Sequence, residues 1–319
     1  MLFPFSQRPS AISHPAQFSG IRKAAQSSAA STRSLILRYP AASVQLVWLV
    51  PIPKLSPYRE LAERVAQQFS SLSPVEAVAL AGSQISPFPD ESSDIDLYVY
   101  VMEDIPLEER VGIAAGSRGA EIGNATWEPG DEWIDVATGS AVDVMYRHIR
   151  WIEEQLDRVL VRYEASVGYS TCFWYNVLYS QALFDRQGWF AELQRRAGQP
   201  YPAELKQAVI AKNYRLLRDT QSSFLHQIEL AVQRNDSVSA NHRVAAFLAS
   251  YFDVLFAVNE MPHPGEKRLL QHAAGLPQLP RGFERDVRAV VAAVGCVDVV
   301  ARVNKLVDGL EGLVGIRSD

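Results

Sequence analysis

The chain has 319 residues, 48% of them hydrophobic, which is enough for two domains with a sizeable core. Residues 1–59 hold seven Lys and Arg and no Asp or Glu, so residues 60–319 carry 24 basic side chains (31 less 7) against 36 acidic ones, about −12. A body this acidic is poorly suited to long nucleic acid, which demands many Lys and Arg contacts to phosphate; a small, even cationic, substrate suits it better. No run approaches the roughly 18–20 apolar residues of a membrane span. Cys172 and Cys296 are far apart, with neither metal-ligand spacing nor a disulfide framework. A reducing, cytoplasmic compartment is therefore expected.

Residues 1–55 read as a dispensable extension, and the Ser-, Ala-, Arg- and Pro-rich first forty as disordered. Import into an organelle is the alternative use of such a composition. From Pro57 to Ser70, Leu61, Val65 and Phe69 recur every four residues, the spacing of a helix. Val75–Ala81 reads as a buried strand, ended by Gly82-Ser83, with a loop over 84–93. Asp94–Val101 alternates as a second strand. A helix follows at Pro106–Ala115, then strand and loop pieces over 120–140 and a third strand at Ala141–Tyr146.

Helices are then expected at Trp151–Glu164, Thr171–Ser180 and Trp189–Ala197, with a short edge strand at Gln181–Phe184. Gly198-Gln199-Pro200-Tyr201-Pro202 is the strongest boundary signal. Beyond it nearly everything is helical: about 203–218, 219–234, 240–259, 265–273, 281–294 and 297–312. The expected class is α+β. A mixed sheet flanked by helices would occupy 56–198, and an all-α helical bundle 199–319.

The chemistry concentrates in the strands. Residues i and i+2 of a strand share a face, so Asp94 and Asp96 point together from an apolar strand. Two like charges there repel and are poorly solvated, and a divalent cation compensates them. Magnesium takes oxygen ligands and joins carboxylates to substrate phosphates. Asp143 sits on another apolar strand; if that strand is adjacent, the three carboxylates converge and can hold two magnesium ions. Gly82 lets the backbone approach a phosphate, and the Ser83 hydroxyl with nearby N–H groups can cradle a triphosphate.

Ala81-Gly82-Ser83 with Ser93-Asp94-Ile95-Asp96-Leu97 resembles the polymerase β-like nucleotidyltransferase superfamily. The resemblance covers about residues 75–146. It implies that Asp94, Asp96 and Asp143 bind the catalytic metals and that Gly82 and Ser83 bind the phosphates of an NTP. The helical C-terminal half is similar in layout to small-molecule nucleotidyltransferases such as kanamycin, streptomycin and lincosamide adenylyltransferases. Gly130–Trp133, Val142–Tyr146 and Pro264–Lys267 are similar to a bacterial nucleotidyltransferase-like family of unassigned substrate. The expected activity is transfer of NMP, with ATP the expected donor, to a hydroxyl of a small acceptor, releasing pyrophosphate. A protein acceptor, as in toxin–antitoxin systems, and a non-catalytic nucleotide-binding module are the alternatives.

Other candidates are weaker. Among Glu128, Asp131, Glu132 and Asp135, Glu132 is favoured as a general base because Trp133 can pack beside it. Lys212 and Lys267 could reach a triphosphate; the superfamily's habit of supplying such a residue from its helical domain favours Lys212. Tyr169, Phe173, Trp174 and Tyr175 could line a base pocket, but core packing is the preferred reading. The histidines show no metal spacing, and a structural or solvent role is expected of each, His148 included. The oligomeric state is open.

Overall fold

The structure is a computed structural model, described for residues 57–82, 94–125 and 128–315. The extension, Ser83 and the loop after it lie outside the described residues. The sheet is six-stranded, in the order β3-β4-β5-β2-β1-β6. In chain order these are β1 (Val75–Leu80), β2 (Ile95–Val101), β3 (Arg118–Asn124), β4 (Gly130–Ile134), β5 (Ala141–His148) and β6 (Gln181–Asp185). Only β2 and β5 run parallel; every other neighbouring pair is antiparallel.

The strand alternation sorts side chains onto two faces. On one face α1 (Pro57–Ser70) lays Leu61, Val65 and Phe69 against Ile95, Leu97, Val99, Val142 and Val144. On the other, α3 (Ile149–Leu160), α4 (Cys172–Tyr179) and α5 (Trp189–Ala197) cover Ala77, Ala79, Tyr98 and Tyr100. Every residue of β1 is buried, because both of its faces are covered and both of its edges are paired. The remaining helix of this part, α2 (Leu107–Ile113), buries none of its residues.

Beyond Gly198 come α6 (Ala203–Arg218), α7 (Phe224–Gln233), α8 (Ser237–Val258), α9 (Leu269–Ala274), α10 (Phe283–Ala292) and α11 (Val299–Val314). The core of this half is built on α8, with Phe247, Tyr251 and Leu255 fully buried. Leu205, Val209 and Ala257 nevertheless belong to the same apolar cluster as Ile152, Trp174 and Phe190, so that cluster crosses residues 198–199.

Caps account for shifted helix ends. Expected from 219, α7 starts at Phe224 because Ser223 Oγ accepts from His226 N. Asp236 Oδ1 accepts from Ser239 N and starts α8 three residues before the expected 240. The helix expected from 265 starts at Leu269, since Gly265 and Arg268 take φ of +101° and +56°, outside helical geometry. Among the described residues, no helix is long and apolar enough to cross a membrane.

Candidate active site

Asp96 and Asp143 are register partners in the parallel pair β2–β5. Asp143 also partners Glu132 across β5–β4, and Glu132 partners Glu121 across β4–β3. Register partners share a face, on strands about 4.8 Å apart. Asp96, Asp143 and Glu132 therefore form one row across three adjacent strands, extended by Glu121 on the edge strand. The first three are half-buried and Glu121 is exposed, while their neighbours Ile95, Leu97, Val142, Val144 and Trp133 are buried on the α1 face. The row shares its face with Tyr98 and Tyr100, which the α3–α5 layer covers.

Gly82 closes one end of the row. Ala81 N donates to Asp96 O at 2.9 Å, so the ladder continues to the turn. Gly82 has φ of +65°, and a Cβ there would lie 1.7 Å from Asp96 Oδ2. Glycine is thus required twice, by the left-handed backbone and by the carboxylate against its Cα.

Asp94 is exposed and lies one residue before β2, outside the row. Among the described residues, no group of three or more His, Cys, Asp or Glu side chains is arranged to hold a metal ion. Asp96 and Asp143 nonetheless form an oxygen-only pair beside a backbone cradle that a Cβ would fill. One or two carboxylates completed by substrate phosphates is the usual protein share of a magnesium site, so this donor set fits that ion.

The acids before the third strand separate cleanly. Glu128 pairs with Arg147 at 3.1 Å. Asp131, 1% exposed, accepts from Arg110 Nε and Nη2, from Tyr146 Oη at 2.6 Å and from Gly123 N at 2.7 Å. Asp135 accepts from Thr138 N and from Arg64. Glu132 alone of the four sits in the acid row, where Asn124 Nδ2 donates to its Oε1 at 3.0 Å. Trp133 does not pack beside its carboxylate, because consecutive strand residues point to opposite faces and Trp133 is buried against α1.

Lys212 on α6 and Lys267 between α8 and α9 are both exposed, and neither side chain makes an ion pair or hydrogen bond among the described residues. His148 caps α3, its Nδ1 accepting from Arg150 N, as expected of a structural histidine. Trp174 is core, with its indole N–H donating to Ala197 O at 2.7 Å. Tyr169 precedes α4, with φ of +54°.

Two buried groups escaped the sequence reading. Arg147 carried no signal of its own. Strand parity from Asp143 would have placed it on the acid face. Its guanidinium lies 3.7 Å over the Tyr98 ring; burial works against its charge, but Glu128, Tyr98 and Tyr100 together outweigh it and hold the guanidinium protonated. Burial pushes the Tyr98 hydroxyl well above its ordinary range, against the opposing pull of Arg147, so it stays a neutral phenol. Asp253 on α8 accepts from Ser170 N and Oγ and from Asn213 Nδ2, and burial pushes its carboxyl up to about 7. Its local signal was an acid inside the apolar run Tyr251–Val258, the kind of contradiction that also marks Asp96 and Asp143.

Residues 175–268 match a family described as "Domain of unknown function (DUF4037)". The matched span contains Lys212 and Lys267 and none of the acid row. No curated protein matches the sequence. Among solved structures, the chain is similar to a nucleotidyltransferase-like protein from Exiguobacterium sibiricum 255-15, with 12% identity and a TM-score of 0.39, over 81% of this chain and 74% of that one. It is also similar to the Thermotoga maritima CCA-adding enzyme complexed with tRNA, with 11% identity and a TM-score of 0.31, over 83% of this chain and 82% of that one.

Proposed function

We propose that this chain is a nucleotidyltransferase that moves NMP, with ATP as the preferred donor, to a hydroxyl of a small-molecule acceptor. The observation that carries this reading is the in-register row Asp96–Asp143–Glu132 with Gly82 closed against Asp96. Half-buried carboxylates in such a row repel one another, and a magnesium nucleotide between them relieves the repulsion. We assign residues 56–198 to the catalytic domain and 199–319 to a helical domain that closes the acceptor side.

Asp96, Asp143 and Asp94 would hold magnesium. Bound there, the ion supplies charge neutralisation at the phosphates. Gly82 and Ser83 position the phosphate chain, and Lys212 or Lys267 meets its outer end. The acceptor oxygen forms a bond to the α-phosphorus as the bond to the pyrophosphate oxygen breaks. The hydroxyl proton passes to a carboxylate of the row, Glu132 or Asp143, and pyrophosphate leaves.

The test is incubation with α-labelled NTPs and magnesium, using a panel of aminoglycosides and lincosamides and a cell extract. Label on a small molecule, with equimolar pyrophosphate, is the expected result. Label on protein would replace the acceptor class, and absence of NTP binding would overturn the reading.

A further inference from the structure

Arg147 takes no part in the reaction just outlined, yet it lies on the face of the acid row. It is 3% exposed and partners Tyr100 in the register that pairs Asp96 with Asp143. Its Nε donates to Glu128 Oε2 at 3.1 Å and its Nη2 to Glu128 Oε1 at 3.3 Å. Its guanidinium lies 3.7 Å over the ring of Tyr98. Tyr98 is two residues beyond Asp96 on β2, and Glu128 leads into β4 four residues before Glu132. One side chain thus ties together β2, β5 and the entry to β4, the three strands that carry the row.

Stability alone is a poor reason for this arrangement. Among the described residues, Arg147 Nη1 and the Tyr100 hydroxyl make no hydrogen bond of normal geometry, although the two groups interact with each other. A buried ion pair with an imperfectly met donor is generally no more stabilising than apolar packing of the same volume. Arg110 offers the internal control. It makes the same three-part contact, with Asp131 and over the Tyr146 ring at 4.3 Å, on the opposite face. There Asp131 accepts four hydrogen bonds, and no buried polar atom of Arg110, Asp131 or Tyr146 lacks a partner.

We propose that the Arg147–Glu128–Tyr98 clasp is a positioning device for the acid row. It fixes the lateral spacing of Asp96, Asp143 and Glu132 from behind. Arg147 touches no reacting atom and acts through the strands it joins. The inference rests on the proposed role of the row, and its test separates the two.

Arg147→Met, Arg147→Lys, Glu128→Gln and Arg110→Met are compared in the full chain by backbone amide exchange and by binding of manganese(II) with a non-hydrolysable ATP analogue. In Arg147→Met, residues 95–98 and 142–145 should exchange faster while global unfolding stays rare. Its kcat should fall about 10- to 100-fold with the KM for NTP within twofold, the signature of misplaced reacting groups. Arg147→Lys should recover part of kcat, since lysine keeps the charge but loses the two-pronged contact. Arg110→Met should lose activity only in proportion to its folded fraction. If Arg147→Met does not fold, Arg147→Lys and Glu128→Gln, whose side chain is 29% exposed in the wild type, carry the comparison. Unchanged exchange in both strands, or activity tracking the folded fraction in all four variants, would overturn the clasp. If the wild type binds no manganese nucleotide, the nucleotidyltransferase reading fails, and the exchange data still decide the clasp.

Discussion

The two faces of the sheet carry the same device in different states. On the α1 face, Arg110 meets Asp131 and Tyr146, and Asp131 is closed by four donors. On the other face, Arg147 meets Glu128 and Tyr98, and among the described residues its Nη1 and the Tyr100 hydroxyl make no hydrogen bond of normal geometry. The first lies among apolar residues and has nothing to serve but the fold. The second stands behind three half-buried carboxylates on the same strands. A polar cluster completed within itself serves stability, whereas one left incomplete needs a further reason, which the proposed role of the acid row supplies.

That contrast breaks if the largest effects do not cross over. Asp96→Ala should lower transfer on the order of 10³-fold, the scale of several kcal/mol of lost charge stabilisation, while the fold persists. Near-wild-type turnover of Asp96→Ala in magnesium would remove the row from the mechanism. Asp131→Asn should do the reverse, costing about 2–4 kcal/mol of stability by leaving half-buried Arg110 without its counter-charge inside a closed hydrogen-bond cluster. Its turnover per folded molecule should hold, and thermal melts beside active-site titration check both halves.

Asp253 sharpens the same comparison as a buried carboxylate without a direct arginine bond. Arg158 donates to Ser166 Oγ and Ser170 O instead. Burial raises the Asp253 carboxyl from its ordinary value to about 7, opposed by Ser170 and Arg158. A raised folded-state value means the neutral form is favoured. The contribution is therefore full below about pH 4 and is lost as pH rises through about 7. The loss across that window is at most about 4 kcal/mol. Urea midpoints at pH 5 and pH 8 should differ in the wild type and converge in Asp253→Asn. The smallest effect is expected from Lys212→Met and Lys267→Met, about a few-fold in the KM for NTP with kcat nearly unchanged. A kcat loss without a KM change would move that lysine from phosphate binding to positioning.

Much of the fold was legible from local pattern. The four-residue spacing of Leu61, Val65 and Phe69 and the unbroken apolar run of β1 each report burial directly, and both elements lie where expected. So does the edge strand before Asp185, whose carboxylate accepts from Phe190 N and Ala191 N and caps α5. The site was half legible. Gly82, Asp96 and Asp143 stood out because a glycine at a strand end and acids within apolar strands contradict their surroundings. Asp94 carried the same signal, but the strand begins one residue later.

What the sequence determined by itself is each strand's parity, which of its residues share a face, because alternation is a property of one strand's backbone. The shared face of Asp96 with Tyr98, and of Asp143 with Arg147, follows from that. Only the tertiary structure decided that β5 lies parallel to β2 with Asp143 opposite Asp96, that Glu132 continues the row, and that Glu128 reaches Arg147. Register between strands more than forty residues apart arises from packing and pairing summed over the whole sheet, and no local pattern records it.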